Sequence, residues 1–349
     1  MRHARIFSIC VFAVVLVYGA VGFYYLPLAT FNGDLTRMGL LPEKLFGWTK
    51  PRPALDPKWM QQSSMQQADV LVIGDSFSEV RVWQTVLTQS GLKVRTESWK
   101  NINGVCADIV PWLRVQGFTG KYLVIESVER LLADRFGNRV TCKHQRYHPS
   151  YTKIDESPRP PPVSVNVNRR NYASKLSVGI QTRLNMLKYE ILSQATDFKS
   201  WVLSSNTPGH VKNNVKVKVA RVADGCVLFS HARCDDALFI TTDQPDEVGE
   251  DILNNIEILN SRLNGVTPIW VFVPNKSTAY LYPDKQFWNK AEQRFKAPNL
   301  LRMTQQAIHK KTVDLYPANN THLSTTGYLL MGEEILKAIQ QSQRLGHAP

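Results

Sequence analysis

The chain has 349 residues, 43% of them hydrophobic and 10% aromatic, enough to bury a core in one large or two small domains, which excludes an intrinsically disordered protein. The formal charge of +13 comes without any basic helix carrying interleaved aromatics, so no nucleic-acid partner is expected. An anionic glycan or a membrane surface suits the charge better, and a plainly solvated basic surface is the alternative. The eight histidines are scattered and no Cys-x-x-Cys occurs, so no metal site and no cofactor are expected.

The chain opens with Arg2 and Arg5, followed by an uncharged run from Ile6 to about Leu26. At about 1.5 Å per residue a helix of that length crosses a hydrocarbon core of about 30 Å. The run exceeds the usual apolar core of a signal peptide and ends in the interfacial aromatics Phe23, Tyr24 and Tyr25. An uncleaved single-pass anchor is therefore expected over 1–28, with its amino terminus inside; Arg37 and Lys44 beyond it blunt the charge asymmetry. A signal peptide cleaved near Ala20-Val21-Gly22 is the other reading. Residues 29–67, punctuated by Pro42, Pro51, Pro53 and Pro57, read as a linker.

From 68 onward elements alternate. Strands are expected at Val70 to Ile73, around Val94, at Tyr122 to Ile125, at Ile269 to Val273 and at Val313 to Leu315, with extended segments at Val215 to Val222 and Cys226 to Phe229. Helices are expected from about Glu79 to Ser90, Ala107 to Val115, Glu247 to Leu263, Leu300 to His309 and Gly327 to Ile339. Between about 136 and 212 the pattern breaks into an insertion: a proline-rich excursion containing Pro160-Pro161-Pro162, then a helix from Tyr172 to about Leu203 with an apolar stripe. That stripe suits packing on the main domain better than a membrane surface. The βα alternation implies a parallel sheet with helices on both faces. Of the cysteines outside the anchor, Cys106, Cys142, Cys226 and Cys234, the pair Cys226 and Cys234 is the better candidate for a disulfide; four unrelated thiols are the alternative.

The chemistry-bearing stretch is Val70-Leu71-Val72-Ile73-Gly74-Asp75-Ser76-Phe77, a buried strand delivering a serine to its carboxyl end, where open α/β sheets carry their sites. Its complement is Asn319-Asn320-Thr321-His322, in a polar turn before the last helix. A serine hydroxyl becomes a useful nucleophile at neutral pH when an imidazole accepts its proton and a third group holds the imidazole tautomer. Ser76 and His322 fit the first two roles; an N-cap serine and a helix-entry histidine are the alternatives. Acyl transfer also needs an oxyanion hole, for which the N–H groups of Ser76 and Gly104 and the side chain of Asn103 are candidates. Lys276 and Tyr280, after the strand ending at Val273, stand at the same edge as weaker candidates for substrate contact.

Gly74-Asp75-Ser76-Phe77 followed far downstream by Asn320-x-His322 resembles the first and last blocks of the SGNH (GDSL-type) hydrolase superfamily. The segments Tyr122 to Arg130, Val227 to Ser230, Val273 to Tyr280 and Thr321 to Tyr328 are similar to its alginate O-acetyltransferase-like branch of periplasmic acyltransferases. The resemblance implies an SGNH-like (flavodoxin-like) three-layer fold over 68–349. It also implies that Asn103-Gly104 stands for the glycine-bearing block and that Arg130 is a substrate-side arginine. The aspartate of the family's last block is Asn320 here; a neutral amide orients an imidazole but cannot stabilise imidazolium by charge. Asp314 is a second candidate for that role, ranked behind Asn320. The leading function is then an inner-membrane-anchored, periplasmic O-acyltransferase, first of all an O-acetyltransferase, that modifies an exported polysaccharide through acyl-Ser76 with a multi-pass membrane acyltransferase as donor partner. An esterase of the same fold and a weakly catalytic glycan-binding component of an export complex are the alternatives.

Overall fold

The computed structural model of the chain describes residues 2–25, 32–102, 104–137, 142–148, 180–187, 189, 200–204, 216–243 and 245–345. Asn103, the triple-proline run and most of the insertion lie outside the described residues. In chain order come α1 (Arg2–Tyr25), α2 (Asp34–Gly39), α3 (Glu43–Phe46), β1 (Val70–Gly74), α4 (Ser76–Glu79), α5 (Gln84–Gln89), β2 (Val94–Ser98), α6 (Ile109–Val115), β3 (Tyr122–Val128) and α7 (Leu132–Phe136). Residues 180–187 form α8. There follow β4 (Ser200–Ser204), β5 (Lys216–Arg221), α9 (Gly225–Leu228), β6 (Asp236–Ile240), α10 (Glu250–Asn260), β7 (Thr267–Val273), α11 (Lys276–Tyr280), α12 (Phe287–Phe295), α13 (Leu300–His309) and α14 (Thr325–Leu345).

Two compact units emerge. One comprises Met1–Thr49, Val163–Thr242 and Ala318–Thr321; the other comprises Lys50–Pro162, Asp243–Pro317 and His322–Pro349. The second unit is an α/β layer structure around a four-stranded, wholly parallel sheet of order β2-β1-β3-β7. Period-2 alternation divides each strand between two cores. Val70, Val72, Val124, Val271 and Val273 face Leu87 of α5, Met303 of α13 and Met331 and Ile335 of α14. Leu71, Ile73, Leu123, Ile125, Trp270 and Phe272 face Leu113 of α6, Phe136 of α7, Ile256 of α10 and Trp288 of α12. Burial on both faces is why these strands read as continuous apolar runs. Because all four are parallel, their carboxyl ends gather at one edge.

The first unit holds an antiparallel sheet of order β4-β5-β6 over a core of Leu35, Leu41, Phe46, Tyr189, Val217, Val219 and Leu238. Its α1 contains an apolar window, Arg2–Gly22, of 21 residues with mean hydropathy 2.2 and no burial, which matches a single-pass span in length and composition.

Several expectations are corrected. Residues 29–67 do not form a bare linker: α2 and α3 place Leu35, Leu41 and Phe46 in the first unit's core, their apolar spacing being too short to register as helical periodicity. The helix expected from Glu79 to Ser90 is broken in two at Arg81, whose φ of 58° is left-handed, and the Ser78 carbonyl accepts from the Arg81 N–H at 3.0 Å and from Gln84 Nε2 at 2.8 Å. Residues around Cys226 to Phe229 form α9, and Val313 to Leu315 is a turn, with Asp314 at φ 53°. The end of the long helix expected to reach Leu203 is instead β4, paired with β5. β6, α11 and α12 were not legible.

Two disulfides are present, the expected Cys226–Cys234 and also Cys106–Cys142, leaving Cys10 free. Thiol alkylation of the denatured, unreduced chain should therefore add one label and, after reduction, five, read by intact mass. Three or more labels before reduction would contradict this pairing.

Candidate active site

Ser76 is separated from the end of β1 by Asp75 alone and begins α4 at the carboxyl edge of the parallel sheet. Glycine is required two residues earlier because a Cβ on Gly74 would run into the Ser78 side chain and lie 2.7 Å from Glu126 Oε2. Asp75 is the N-cap: its Oδ1 accepts from the Phe77 N–H at 2.9 Å. Its Oδ2 accepts from the Val128 N–H at 3.0 Å and from Arg135 Nη1 at 2.9 Å, tying the end of β1 to the end of β3 and to α7. The Asp75 N–H in turn donates to Glu126 Oε2 at 2.9 Å, and the Ser78 hydroxyl donates to the same oxygen at 2.8 Å.

Glu126 is completely buried, and its Oε1 has no hydrogen-bond partner among the described residues. Loss of solvent, reinforced by the neighbouring Asp75 charge, pushes its carboxyl well above the usual carboxylate range, against the pull of Arg135. The raised carboxyl lies beneath the turn that presents Ser76.

His322 completes the pair. Its Nε2 lies 2.7 Å from Ser76 Oγ, a hydrogen-bond distance, and its ring packs 4.9 Å from that of Phe77, with Tyr328 behind Phe77 at 6.1 Å. A neutral imidazole protonated at Nδ1 accepts the serine proton at Nε2. Both side chains are half-buried, shielded yet reachable. Asn320, two residues earlier, is half-buried and belongs to the segment Ala318–Thr321 of the first unit, which α2 holds: Leu35 N–H donates to Asn319 O at 3.1 Å and Thr321 N–H to Asp34 Oδ1 at 2.9 Å. Asp314 is buried in the left-handed turn.

The other expected residues divide. Gly104 sits at φ 148°, a conformation that favours glycine, in a loop leaving β2 at the same edge as Ser76. That loop is fastened by the Ile102–Tyr147 bridge and the Cys106–Cys142 disulfide. Asn103 lies outside the described residues. Arg130 is half-buried just beyond β3, its backbone N–H and Nη1 reaching Asn275 Oδ1 at 3.4 and 3.3 Å. Lys276, by contrast, is buried with its Nζ donating to Pro317 O at 2.7 Å, and the Tyr280 hydroxyl accepts from the Tyr316 N–H at 3.4 Å. Burial pushes the Tyr280 phenol upward. Both serve internal contacts because α11 turns this stretch toward the protein interior.

Glu126, Arg135, Glu129 and Asn275 were not singled out from the sequence. The one available signal was charge inside an apolar strand, as in Ile125-Glu126-Ser127. Glu129 is also buried, taking Lys285 Nζ and Thr278 Oγ1, each at 2.6 Å, and the Asn275 N–H at 2.9 Å. No family model, curated protein or solved structure matches this chain.

The raised Glu126 carboxyl fixes a pH dependence. Well below pH 4.5 it is neutral both folded and unfolded; as pH rises the unfolded chain releases this proton first, so the folded state loses stability until its own higher pKa is passed. Glu126→Gln, which cannot ionise, should melt with the wild type near about pH 4.5 and above it by a few degrees at about pH 8. A wild type that gains on the variant across that range, followed by circular dichroism, would show that the buried acid is ionised in the fold.

Proposed function

We propose that this chain is a membrane-anchored O-acyltransferase of the SGNH type, acting on hydroxyls of an exported polysaccharide, with acetyl as the acyl group. The observation carrying this reading is the 2.7 Å contact between Ser76 Oγ and His322 Nε2 at the carboxyl edge of a parallel sheet. Ser76 Oγ attacks the donor's acyl carbon while His322 takes its proton; the tetrahedral oxyanion is met by the Ser76 and Gly104 N–H groups, the former having no acceptor within its helix. Collapse expels the donor's leaving group, which takes the proton from His322 and leaves acyl-Ser76. A glycan hydroxyl, deprotonated by the same imidazole, then attacks the acyl carbon; the bond to Ser76 Oγ breaks, His322 returns the proton to that oxygen, and the acyl group leaves as the sugar ester. Asn320 would hold the imidazole by accepting its ring N–H. Arg130 is the cation best suited to an anionic sugar.

Placement outside the cytoplasm, in the periplasm, is supported by the two disulfides, which persist in oxidising compartments, and by the arginines preceding α1. A multi-pass membrane acyltransferase would supply the acyl group. Water as acceptor turns the same site into an esterase, so the acceptor decides between the two.

Full-length protein in detergent should release chromophore from an activated acetyl ester and carry acetyl on Ser76 by intact mass. Added oligosaccharide should accept the group. Ser76→Ala should lower turnover by roughly ten-thousand-fold without unfolding the chain. His322→Ala should cost far more than Asn320→Ala, and Asn320→Asp should equal or exceed wild type, since a carboxylate also stabilises imidazolium. Ester turnover persisting in folded Ser76→Ala would discard the mechanism. If neither wild type nor Asn320→Asp forms acyl-enzyme, a glycan-binding component replaces the enzyme.

A further inference from the structure

Helix α8 is inside out for a helix of a water-facing domain. Its inward positions are the polar Thr182 and Asn185, 1% and 2% exposed, with Asn185 Nδ2 donating to Gly39 O at 2.8 Å. One turn on, Tyr189 is fully buried against the Phe46 ring, and its hydroxyl donates to Asp236 Oδ2 at 2.8 Å. At about 100° per residue, Ile180, Leu184 and Leu187 lie on the opposite side. They are 42%, 47% and 54% exposed, and beyond α1 they make up half of the exposed large hydrophobics among the described residues. A helix whose polar face is buried and whose apolar face is bare needs an apolar medium on that face.

The same unit supplies that medium. Arg183, also outward on α8, rests its guanidinium on Gly22: a Cβ there would stand 2.8 Å from Arg183 Nη2. Gly22 closes the apolar window of α1, the point at which a span of that length leaves the hydrocarbon. The contact therefore sets α8 at headgroup depth, with a guanidinium suited to phosphate beside three aliphatic side chains suited to acyl chains.

We infer that α8 lies in the membrane interface, inserting Ile180, Leu184 and Leu187 into the phospholipid on the side where α1 emerges and holding Arg183 at the lipid phosphates. The inference rests on α1 as a membrane span and is independent of the acyltransferase reading. It gives the first unit two attachments to one leaflet.

The test is nitroxide accessibility in full-length protein reconstituted into vesicles of zwitterionic and anionic phospholipid in a 3:1 ratio. The native Cys10 in α1 serves as the lipid reference. In a Cys10→Ser background, Leu184→Cys and, separately, Leu187→Cys carry the label, and Ile258→Cys, 45% exposed on α10, is the water reference. Labels at 184 and 187 should collide with oxygen in preference to a water-soluble nickel complex by several-fold more than the label at 258, approaching the Cys10 value. Collision ratios equal to those at 258 would overturn the inference, since the face would then be in water. So would shielding from both reagents at 184 and 187, which would mean that protein or a second copy covers it. Aqueous behaviour at Cys10 would remove the span and the inference together.

Discussion

The carboxylate of Asp75 is the constraint on which the candidate site depends. Through three donors, the Phe77 and Val128 N–H groups and Arg135, it fixes the end of β1 against the end of β3 and starts the helix whose first residue is Ser76. Glu126 lies against it, and two carboxylates so close in a dry interior do not both ionise without cost. The donors differ: Asp75 has a guanidinium of its own, whereas Glu126 receives two neutral donors on one oxygen and, among the described residues, none on the other. In that setting burial and the Asp75 charge push the Glu126 carboxyl above its usual range. Gly74 belongs to the same arrangement, since any side chain there would displace the Ser78 hydroxyl that satisfies Glu126.

The parallel sheet was legible because its strands are buried on both faces, so Val70 to Ile73, Tyr122 to Ile125 and Ile269 to Val273 announce themselves without alternation. Ser76 and His322 were legible for a different reason: each ends a segment whose pattern stops abruptly in small polar residues, and each residue type has specific chemistry. What escaped was set by long-range pairing. β6 finds its hydrogen bonds in β5, and β4 in the other edge of β5, information that no local window contains. The turn at Asp314 and the break at Arg81 are left-handed at non-glycine residues, where sequence gives no warning. The acids Glu126 and Glu129 passed unremarked as site residues because burial, not residue type, gives them their character.

The stretch read as a linker fastens another segment of the first unit, Ala318–Thr321. Asp34 and Leu35 of α2 hold Thr321 and Asn319, nearly three hundred positions later in the chain. Asn320 lies between those two anchored residues. Its backbone is thereby placed within the first unit.

The polar groups at the carboxyl edge are not equally available to a substrate. Lys276 is tied to Pro317, Ser277 donates to Asp243 at 2.9 Å, and Glu129 is enclosed by Lys285, Thr278 and the Asn275 backbone. Each of these is buried, and withdrawing one from its partner for a ligand would leave a charge or dipole uncompensated in the interior. Arg130 differs. It is half-exposed, and its contacts to Asn275 are at the long limit of a hydrogen bond, so a guanidinium can exchange a weak amide for a carboxylate or hydroxyl at small cost. Arg130 is therefore the cation at this edge least committed to an internal partner, while the buried ion pairs keep the edge rigid around it.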